Sequence, residues 1–518
     1  MSKSSHTVAL IVLDGWGHRE DAKDNAVAAA KKPFFDSLWK SCPHSLLEAS
    51  GLAVGLPEGQ IGNSEVGHTT IGAGVVLDTD LVRIDKAARA GEFSNIPAIV
   101  SIFDHVHKHD STLHVIGLVS DGGVHSHEMH LHALLAAAKK AGVKCIAIHA
   151  LTDGRDTGPN TGLGHIKKLE AEIARIGGDT FIASLGGRYY AMDRDNNWDR
   201  IKRAEDAMFK ASGPSTELGA SDYLAKVYTE GAKDELLEPV VIKGAHGHGA
   251  PLKTNDAVFI FNFRSDRVRQ LSTRIKKWLE ENDVKNVHIA AMTEFGKEYG
   301  FPIAFPPITI ETTLAKEVSE AGHTQAHIAE TEKFPHATYF LNGGRREPHT
   351  GEKHIMLESR KDVKTHDEAP EMRAEAIADK TIEEIKAGTE FIFVNFANPD
   401  MVGHTANVPA IITAVETVDR ELKRVITALD AAGGQAIIIA DHGNAEVNVD
   451  PVTGDKHTAH TTNVVPCILT GVTKDASGQP VQISLNNGGL SDVAPTILSL
   501  MGIKIPKKMT GKPLVVAK

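Results

Sequence analysis

Asp400 and His404 stand four residues apart in NPDMVGHT, just past the apolar run FIFVNF. On a helical turn that spacing puts carboxylate and imidazole on one face, where both reach a single divalent ion. Asp441 and His442 follow the apolar run AIIIA directly in ADHGN. His457 and His460 come shortly after in HTAHTTN, and Asp14 closes the first apolar run in LDGWG. Any one of these is more simply a turn residue, a helix cap or a hydrogen-bonded structural histidine. Together they exceed what one tetrahedral ion needs. They predict a two-ion centre of the kind that clamps the attacking and leaving oxygens of phosphoryl transfer. Carboxylate mixed with imidazole, without thiolate, favours Mn²⁺, with Zn²⁺, Co²⁺ and Mg²⁺ as alternatives.

A nucleophile for such chemistry is Ser64, in the glycine-dense stretch PEGQIGNSEVGHTTIGAG. The plain alternative is that Ser64 only caps the helix it opens, with Asn63 as a rival cap. The two roles are compatible, because helix-start amides also bind phosphate. A serine alkoxide is scarce at neutral pH, and coordination to a divalent ion is one way to generate it. No GxSxG elbow is present, so a Ser-His-Asp hydrolase is not indicated. Anion recognition points to Arg155 in DGRD, Arg188 and Arg194 in GGRYYAMDRD, and Arg264 and Arg267 in FRSDR. A planar guanidinium binds phosphate or carboxylate through two parallel bonds. Singly, each arginine reads as a surface ion pair with a neighbouring aspartate. His125 in SDGGVHSH and Lys333 in AETEKFPH are further candidates.

These loops need a scaffold that brings them to one edge. Short apolar runs alternate with helical patterns along the whole chain, the signature of parallel α/β architecture. Strands are expected at 8–13, 113–119, 145–150, 181–185, 257–262, 391–396 and 436–440. Helices are expected at 127–141, 164–176, 198–210, 410–432 and 491–501. Nearly every one of these strands runs straight into polar or glycine-rich sequence, and ligands of open α/β sheets sit beyond the carboxyl ends of strands. Asp- and His-rich loops lie near both chain ends and arginine loops in the middle. A domain split by an insertion explains this pattern, with the middle region as the insert; two consecutive domains would separate Asp14 from Asp441.

The 518 residues exceed what one core supports, which also predicts two domains. Hydrophobic residues make up 41%, enough for large cores, and the net charge of -11 argues against nucleic-acid or anionic-membrane partners. Three cysteines without a CxxC spacing indicate neither a disulfide framework nor a thiolate zinc site, which suits a reducing cytosol. The first apolar run is too short for a signal sequence, and no run is long enough to span a membrane. A soluble, cytoplasmic protein is expected. The 27 histidines are a surplus that position has to explain.

LDGWG, EGQIGNSEVGHTTIGAG, SDGGVHSH, LTDGRDT, GGRYYAMDRD, NFRSDR, AETEKFPH, NPDMVGHT, ADHGNAE and HTAHTTN resemble, in order and over essentially the whole chain, the cofactor-independent phosphoglycerate mutases of the alkaline-phosphatase-like superfamily. The resemblance implies an α/β fold: an alkaline-phosphatase-like three-layer domain (1–78 and 312–518) carrying the metals, with an inserted second α/β domain (79–311) that binds substrate. It implies that 3-phosphoglycerate and 2-phosphoglycerate interconvert, in glycolysis and gluconeogenesis, through a phosphoserine on Ser64 and with no bisphosphoglycerate cofactor. Asp400, His404 and His460 would hold one Mn²⁺. Asp14, Ser64, Asp441 and His442 would hold the other. His460 is carried over rather than His457, as the second histidine of HTAHT. His125, Arg155, Asp156, Arg188, Arg194, Arg264, Arg267 and Lys333 would bind substrate, in a chain expected to be monomeric. A phosphatase or another phosphomutase of the same superfamily is the nearest rival, separated by DGRDT and GGRYYAMDRD. The sequence departs from the family pattern at LNGGRREPHTGEKH and THDEAPEMRA, away from the carried-over residues.

Overall fold

The computed structural model describes residues 6–244, 249–471 and 482–517. The chain divides into two compact α/β units, one formed by Met1–Asp78 with Thr309–Lys518 and the other by Thr79–Ile308.

The first unit is built on an eight-stranded sheet. Its order is Glu352–Leu357, Gln325–Glu330, Phe391–Phe396, Val8–Leu13, Gln435–Ile439, Val465–Thr470, His44–Glu48 and Gly488–Gly489. The first five strands run parallel, and Val465–Thr470 is antiparallel to both of its neighbours. VALIVL and FIFVNF are buried along their entire length, as strands covered on both faces must be. One set of helices, Pro33–Ser41, Ala374–Lys386 and Val408–Ala431, packs together on this sheet. A second set, Ser64–Ala73, Leu314–Glu320 and Val493–Leu500, does the same, giving three layers. In Val408–Ala431 the buried Ile411, Ala414, Val415, Val418, Leu422 and Val425 recur at helical spacing.

The second unit holds a seven-stranded sheet in the order Ser215–Thr216, Val240–Ile242, Asp179–Gly187, Cys145–Thr152, Thr112–Leu118, Ala257–Ile260 and His288–Ala291. Only the pairing of Val240–Ile242 with Asp179–Gly187 is antiparallel. Alternation along the strands splits its core in two: Leu113, Val115 and Phe259 belong to one cluster, Ile116, Leu118, Val258 and Ile260 to the other. Among the described residues, no helix is long and apolar enough to cross a membrane.

The strands expected at 8–13 and 391–396 have those bounds in the structure, and the other five differ by one or two residues at one or both ends. The C-terminal helix is shorter than expected, Val493–Leu500, because Leu490–Asp492 forms a separate 3₁₀ turn before it.

Candidate active site

In the first unit, the loops at the carboxyl ends of Val8–Leu13, Phe391–Phe396 and Gln435–Ile439 converge on the start of helix Ser64–Ala73. Asn63 is the N-cap of that helix, its side-chain oxygen accepting from the Val66 N–H at 3.0 Å. The hydroxyl of Ser64 is therefore released from capping, and it points into a buried cluster. Its Oγ lies 2.7 Å from Lys333 Nζ, 2.9 Å from His442 Nε2 and 3.5 Å from Asp14 Oδ1. Two glycines permit this approach. Gly15 adopts a left-handed φ of +73°, and a Cβ there would lie 2.7 Å from Asp400; a Cβ at Gly67 would lie 2.9 Å from the Asp441 carbonyl.

Lys333 Nζ also donates to Asp14 Oδ1 and Asp400 Oδ2, both at 2.6 Å. Asp400 lies in the first turn of Asn398–Gly403, which places His404 one turn later, with Nε2 3.4 Å from Asp400 Oδ1. His460 Nε2 is 3.2 Å from the same oxygen and 3.3 Å from His404 Nε2. The His460 ring stacks on that of His442, with centroids 3.8 Å apart. Donor atoms of Asp14, Asp441 and His442, and again of Asp400, His442 and His460, lie within 4.8 Å of one another. His442 thus belongs to both groups. His457 belongs to neither group, and its backbone N–H donates to the Asn448 carbonyl.

Burial raises the pKa of Asp14, and the neighbouring Asp441 adds to the rise. Burial opposes the charge of Asp400 and Asp441 as well, but Lys333 and His442 hold Asp400 well below the ordinary carboxylate range, and His442 with His68 lowers Asp441. Lys333 is pushed up: burial disfavours its ammonium, but Asp14 and Asp400 outweigh that. Three buried carboxylates therefore face one ammonium, a negative surplus that is costly to bury without a cation. Asp441 Oδ2 is buried with no hydrogen-bond partner. The donor set and the charge both fit divalent ions.

Several uncharged or less obvious groups hold this arrangement. Asn395 Nδ2 donates to Asp14 Oδ2 at 2.8 Å and sits 3.1 Å from His68 Nε2. His68, one turn after Ser64, places Nδ1 2.9 Å from the Ser64 carbonyl. Asn444 Nδ2 donates to Asp400 Oδ1 at 2.8 Å, while its backbone N–H donates to the buried Glu446. Sequence reading did not single these out. Their signals were the histidine four residues after Ser64 and the Asn and Glu of ADHGNAE.

In the second unit, Arg188 Nη1 bridges Asp153 Oδ1 at 2.6 Å and Asp156 Oδ2 at 2.5 Å. His125 stands between Asp156 and Asp266, at 3.8 and 3.7 Å. Arg194 and Arg264 reach Asp266 at 3.0 and 3.1 Å. Arg267 donates to the Met192 carbonyl, and Arg155 turns to Glu235 at 3.0 Å. Burial, reinforced by Arg188, lowers the His125 pKa to about 4, so a neutral imidazole lies among guanidinium groups. His125 Nδ1 and Asp266 Oδ1 are buried without hydrogen-bond partners. The structure brings His125, Asp156, Arg188, Arg194 and Arg264 together around Asp153 and Asp266, the two members absent from the sequence-based set.

The sequence model of the Metalloenzyme superfamily matches residues 6–505. The chain is 46% identical over 525 residues to the 2,3-bisphosphoglycerate-independent phosphoglycerate mutase of Listeria innocua, covering 99% of this chain and 100% of that protein. It is 44% identical over 548 residues to the protein of the same name from Herpetosiphon aurantiacus, covering 99% of each. Among solved structures, Leishmania mexicana phosphoglycerate mutase at low cobalt concentration is similar, with a TM-score of 0.53 and 30% identity over 99% of this chain and 98% of that one.

Proposed function

This chain belongs to the 2,3-bisphosphoglycerate-independent phosphoglycerate mutases, within the Metalloenzyme superfamily, and from that premise we propose that it interconverts 3-phosphoglycerate and 2-phosphoglycerate through a phosphoserine formed on Ser64. Asp14, Ser64, Asp441 and His442 would hold one divalent ion and Asp400, His404 and His460 a second. Mn²⁺ is the ion we assign, with Co²⁺, Mg²⁺ and Zn²⁺ as alternatives; bound there, the pair supplies positive charge to the transferring oxygens and lowers the pKa of the Ser64 hydroxyl.

In the first half-reaction the Oγ–P bond forms, the bond from phosphorus to the glycerate 3-oxygen breaks, and the serine proton ends on that oxygen. In the second, the glycerate 2-oxygen takes the phosphoryl group, Oγ leaves, and the proton released by the 2-hydroxyl passes to Ser64. Atoms balance without water or a second phosphate, which accounts for independence from bisphosphoglycerate. Lys333, an ammonium between Asp14 and Asp400, donates to Oγ and to the phosphoryl oxygens as negative charge develops. Asn63, by capping the helix, leaves the Ser64 hydroxyl free to act as nucleophile. His125, Arg155, Asp156, Arg188, Arg194, Arg264 and Arg267 bind the anionic groups of the phosphoglycerate and hold the glycerate between the two transfers. We assign the enzyme to glycolysis and gluconeogenesis, as a cytoplasmic monomer.

The observation that carries this reading is the buried Ser64 Oγ, freed from capping and in contact with Lys333 and His442. Ser64→Ala is expected to abolish isomerisation with an unchanged circular dichroism spectrum, and acid quenching of the wild type with labelled substrate should trap label on Ser64. Substantial turnover by the alanine variant would exclude Ser64 as nucleophile. Release of inorganic phosphate faster than isomerisation would mark a phosphatase instead.

A further inference from the structure

The strand Gln325–Glu330 is fully buried, yet its sequence QAHIAE carries glutamine and histidine inward. Its parallel register with Glu352–Leu357 sets Gln325 opposite Glu352 and His327 opposite His354, and the two-residue period puts all four on one face of the sheet. Glu352 Oε1 is the focus: His354 Nε2 lies 2.7 Å from it, Asn342 Nδ2 donates to it at 2.8 Å, and His327 Nδ1 is 3.4 Å away. Donor atoms of His327, Glu352 and His354 all lie within 4.8 Å of one another. The His327 and Glu352 side chains are fully buried, and that of His354 is 12% exposed.

Hydrogen bonding alone leaves this cluster incomplete. Asn342, itself buried, has an Oδ1 without a partner, and so does Nε2 of His349, whose backbone N–H donates to Glu352 Oε2 at 2.6 Å. An unpaired buried acceptor costs on the order of 1–3 kcal/mol. Rotating the Asn342 amide by half a turn would bring its oxygen against Glu352 Oε1, a repulsive contact unless a cation lies between them. In the rotated position, a cation held at Glu352 would supply the partner that the Asn342 oxygen lacks. A tetrahedral ion with ligands at about 2.0–2.1 Å has edges of roughly 3.3 Å. The 3.4 Å separation of His327 and Glu352 meets that, and the pair at 2.7 Å would have to open by a fraction of an ångström.

We infer that His327, Glu352 and His354, with the side-chain oxygen of Asn342 as fourth donor, form a structural binding site for a zinc-like divalent ion, separate from the catalytic centre. Two imidazoles, a carboxylate and an amide oxygen suit Zn²⁺ or Co²⁺. A group that fixes the ligand tautomer is already in place. Gln325 Oε1 lies 3.2 Å from His327 Nε2, and its own amide donates to the Ala315 carbonyl, so it can accept an Nε2–H while Nδ1 turns its lone pair to the ion. Four of the six residues, Asn342, His349, Glu352 and His354, come from LNGGRREPHTGEKH, the stretch that the catalytic reading leaves unused. Taking up the ion would cost His327 Nδ1 its contact with the Ala337 carbonyl, 2.8 Å away, because that contact needs the proton on Nδ1.

The test uses the full chain carrying Asp400→Asn and Asp441→Asn, stripped by chelation and titrated with Zn²⁺ alone. It should take up Zn²⁺, and adding His354→Gln should remove one equivalent or weaken its binding at least tenfold. Equal uptake by the two chains would overturn the inference. Cobalt provides a reading that does not depend on how the glutamine variant folds. The Asp400→Asn/Asp441→Asn chain loaded with one equivalent of Co²⁺ should show the intense visible absorption of tetrahedral coordination, and a weak octahedral spectrum would sink the proposal.

Discussion

The ammonium of Lys333 lies 2.7 Å from the hydroxyl oxygen of Ser64, although 269 residues separate the two in the chain. Asp14 and Asp400 hold that ammonium from the other side. A donor so placed stabilises charge on Oγ and on the transferring phosphoryl group in the transition state more than in the ground state. Lys333→Met, close in length but uncharged, should therefore lower kcat by on the order of 10²–10³-fold, with a much smaller change in KM. Steady-state kinetics at saturating metal checks this. A variant with raised KM and intact kcat would make Lys333 a ground-state anchor only.

The excess of carboxylate over ammonium predicts that metal stabilises the fold as well as the reaction. Chelated protein should lose activity and unfold at a lower temperature, and Mn²⁺ should restore both. At an ion concentration a hundredfold above Kd, one site contributes about 2.7 kcal/mol. Asp400→Asn removes part of the buried charge, so it should shrink the difference between chelated and refilled midpoints measured by calorimetry. A midpoint indifferent to Mn²⁺ in the wild type would contradict the charge argument.

Which elements could be read from the sequence follows from where they sit in the sheets. VALIVL and FIFVNF lie at the centre, covered on both faces, and appear as unbroken apolar runs. HSLLE and EKHIML are only partly buried, and their mixed composition gives no such run. QAHIAE is buried but polar, because its Gln325 and His327 are satisfied by neighbours that only the fold supplies. The candidate site divides along the same line. Charged residues at strand ends stood out by type and spacing, whereas Asn395 and Asn444, neutral amides that hold Asp14 and Asp400, carry no spacing signal of their own. The rivalry between Asn63 and Ser64 for the cap was open in the sequence, and the bond from the Val66 N–H decides it for Asn63.

Arg188 offers a test of the arginine group in the second unit. Its Nη1 bridges Asp153 and Asp156, so Arg188→Ala would leave buried carboxylate uncompensated and cost about 3–5 kcal/mol of stability. Arg188→Lys keeps the charge and loses the planar fork. It should fold normally and raise KM roughly tenfold, with kcat changed by much less. A drop in kcat at constant KM would assign Arg188 to the chemical step instead of binding.

Glu330 ends the strand that leads into the Lys333 turn, and Ser359 Oγ donates to its Oε2 at 2.9 Å. Burial raises its pKa from 4.5 to about 7, against the smaller opposing effect of the Ser359 hydrogen bond. The sign for stability follows directly. Between those two values the unfolded chain has already released this proton while the folded chain keeps it, so the contribution of the protonated side chain is complete below pH 4.5 and is lost as pH rises through about 7. The loss amounts to about 3 kcal/mol at alkaline pH. Glu330→Gln mimics the protonated form at every pH and keeps an acceptor for Ser359. It should unfold with the wild-type midpoint near pH 4.5 and be the more stable protein at pH 8, as denaturant titrations at the two pH values would show. Equal stability of variant and wild type at pH 8 would mean that the folded protein ionises Glu330 without cost, and that the buried end of this strand is better solvated than its packing implies.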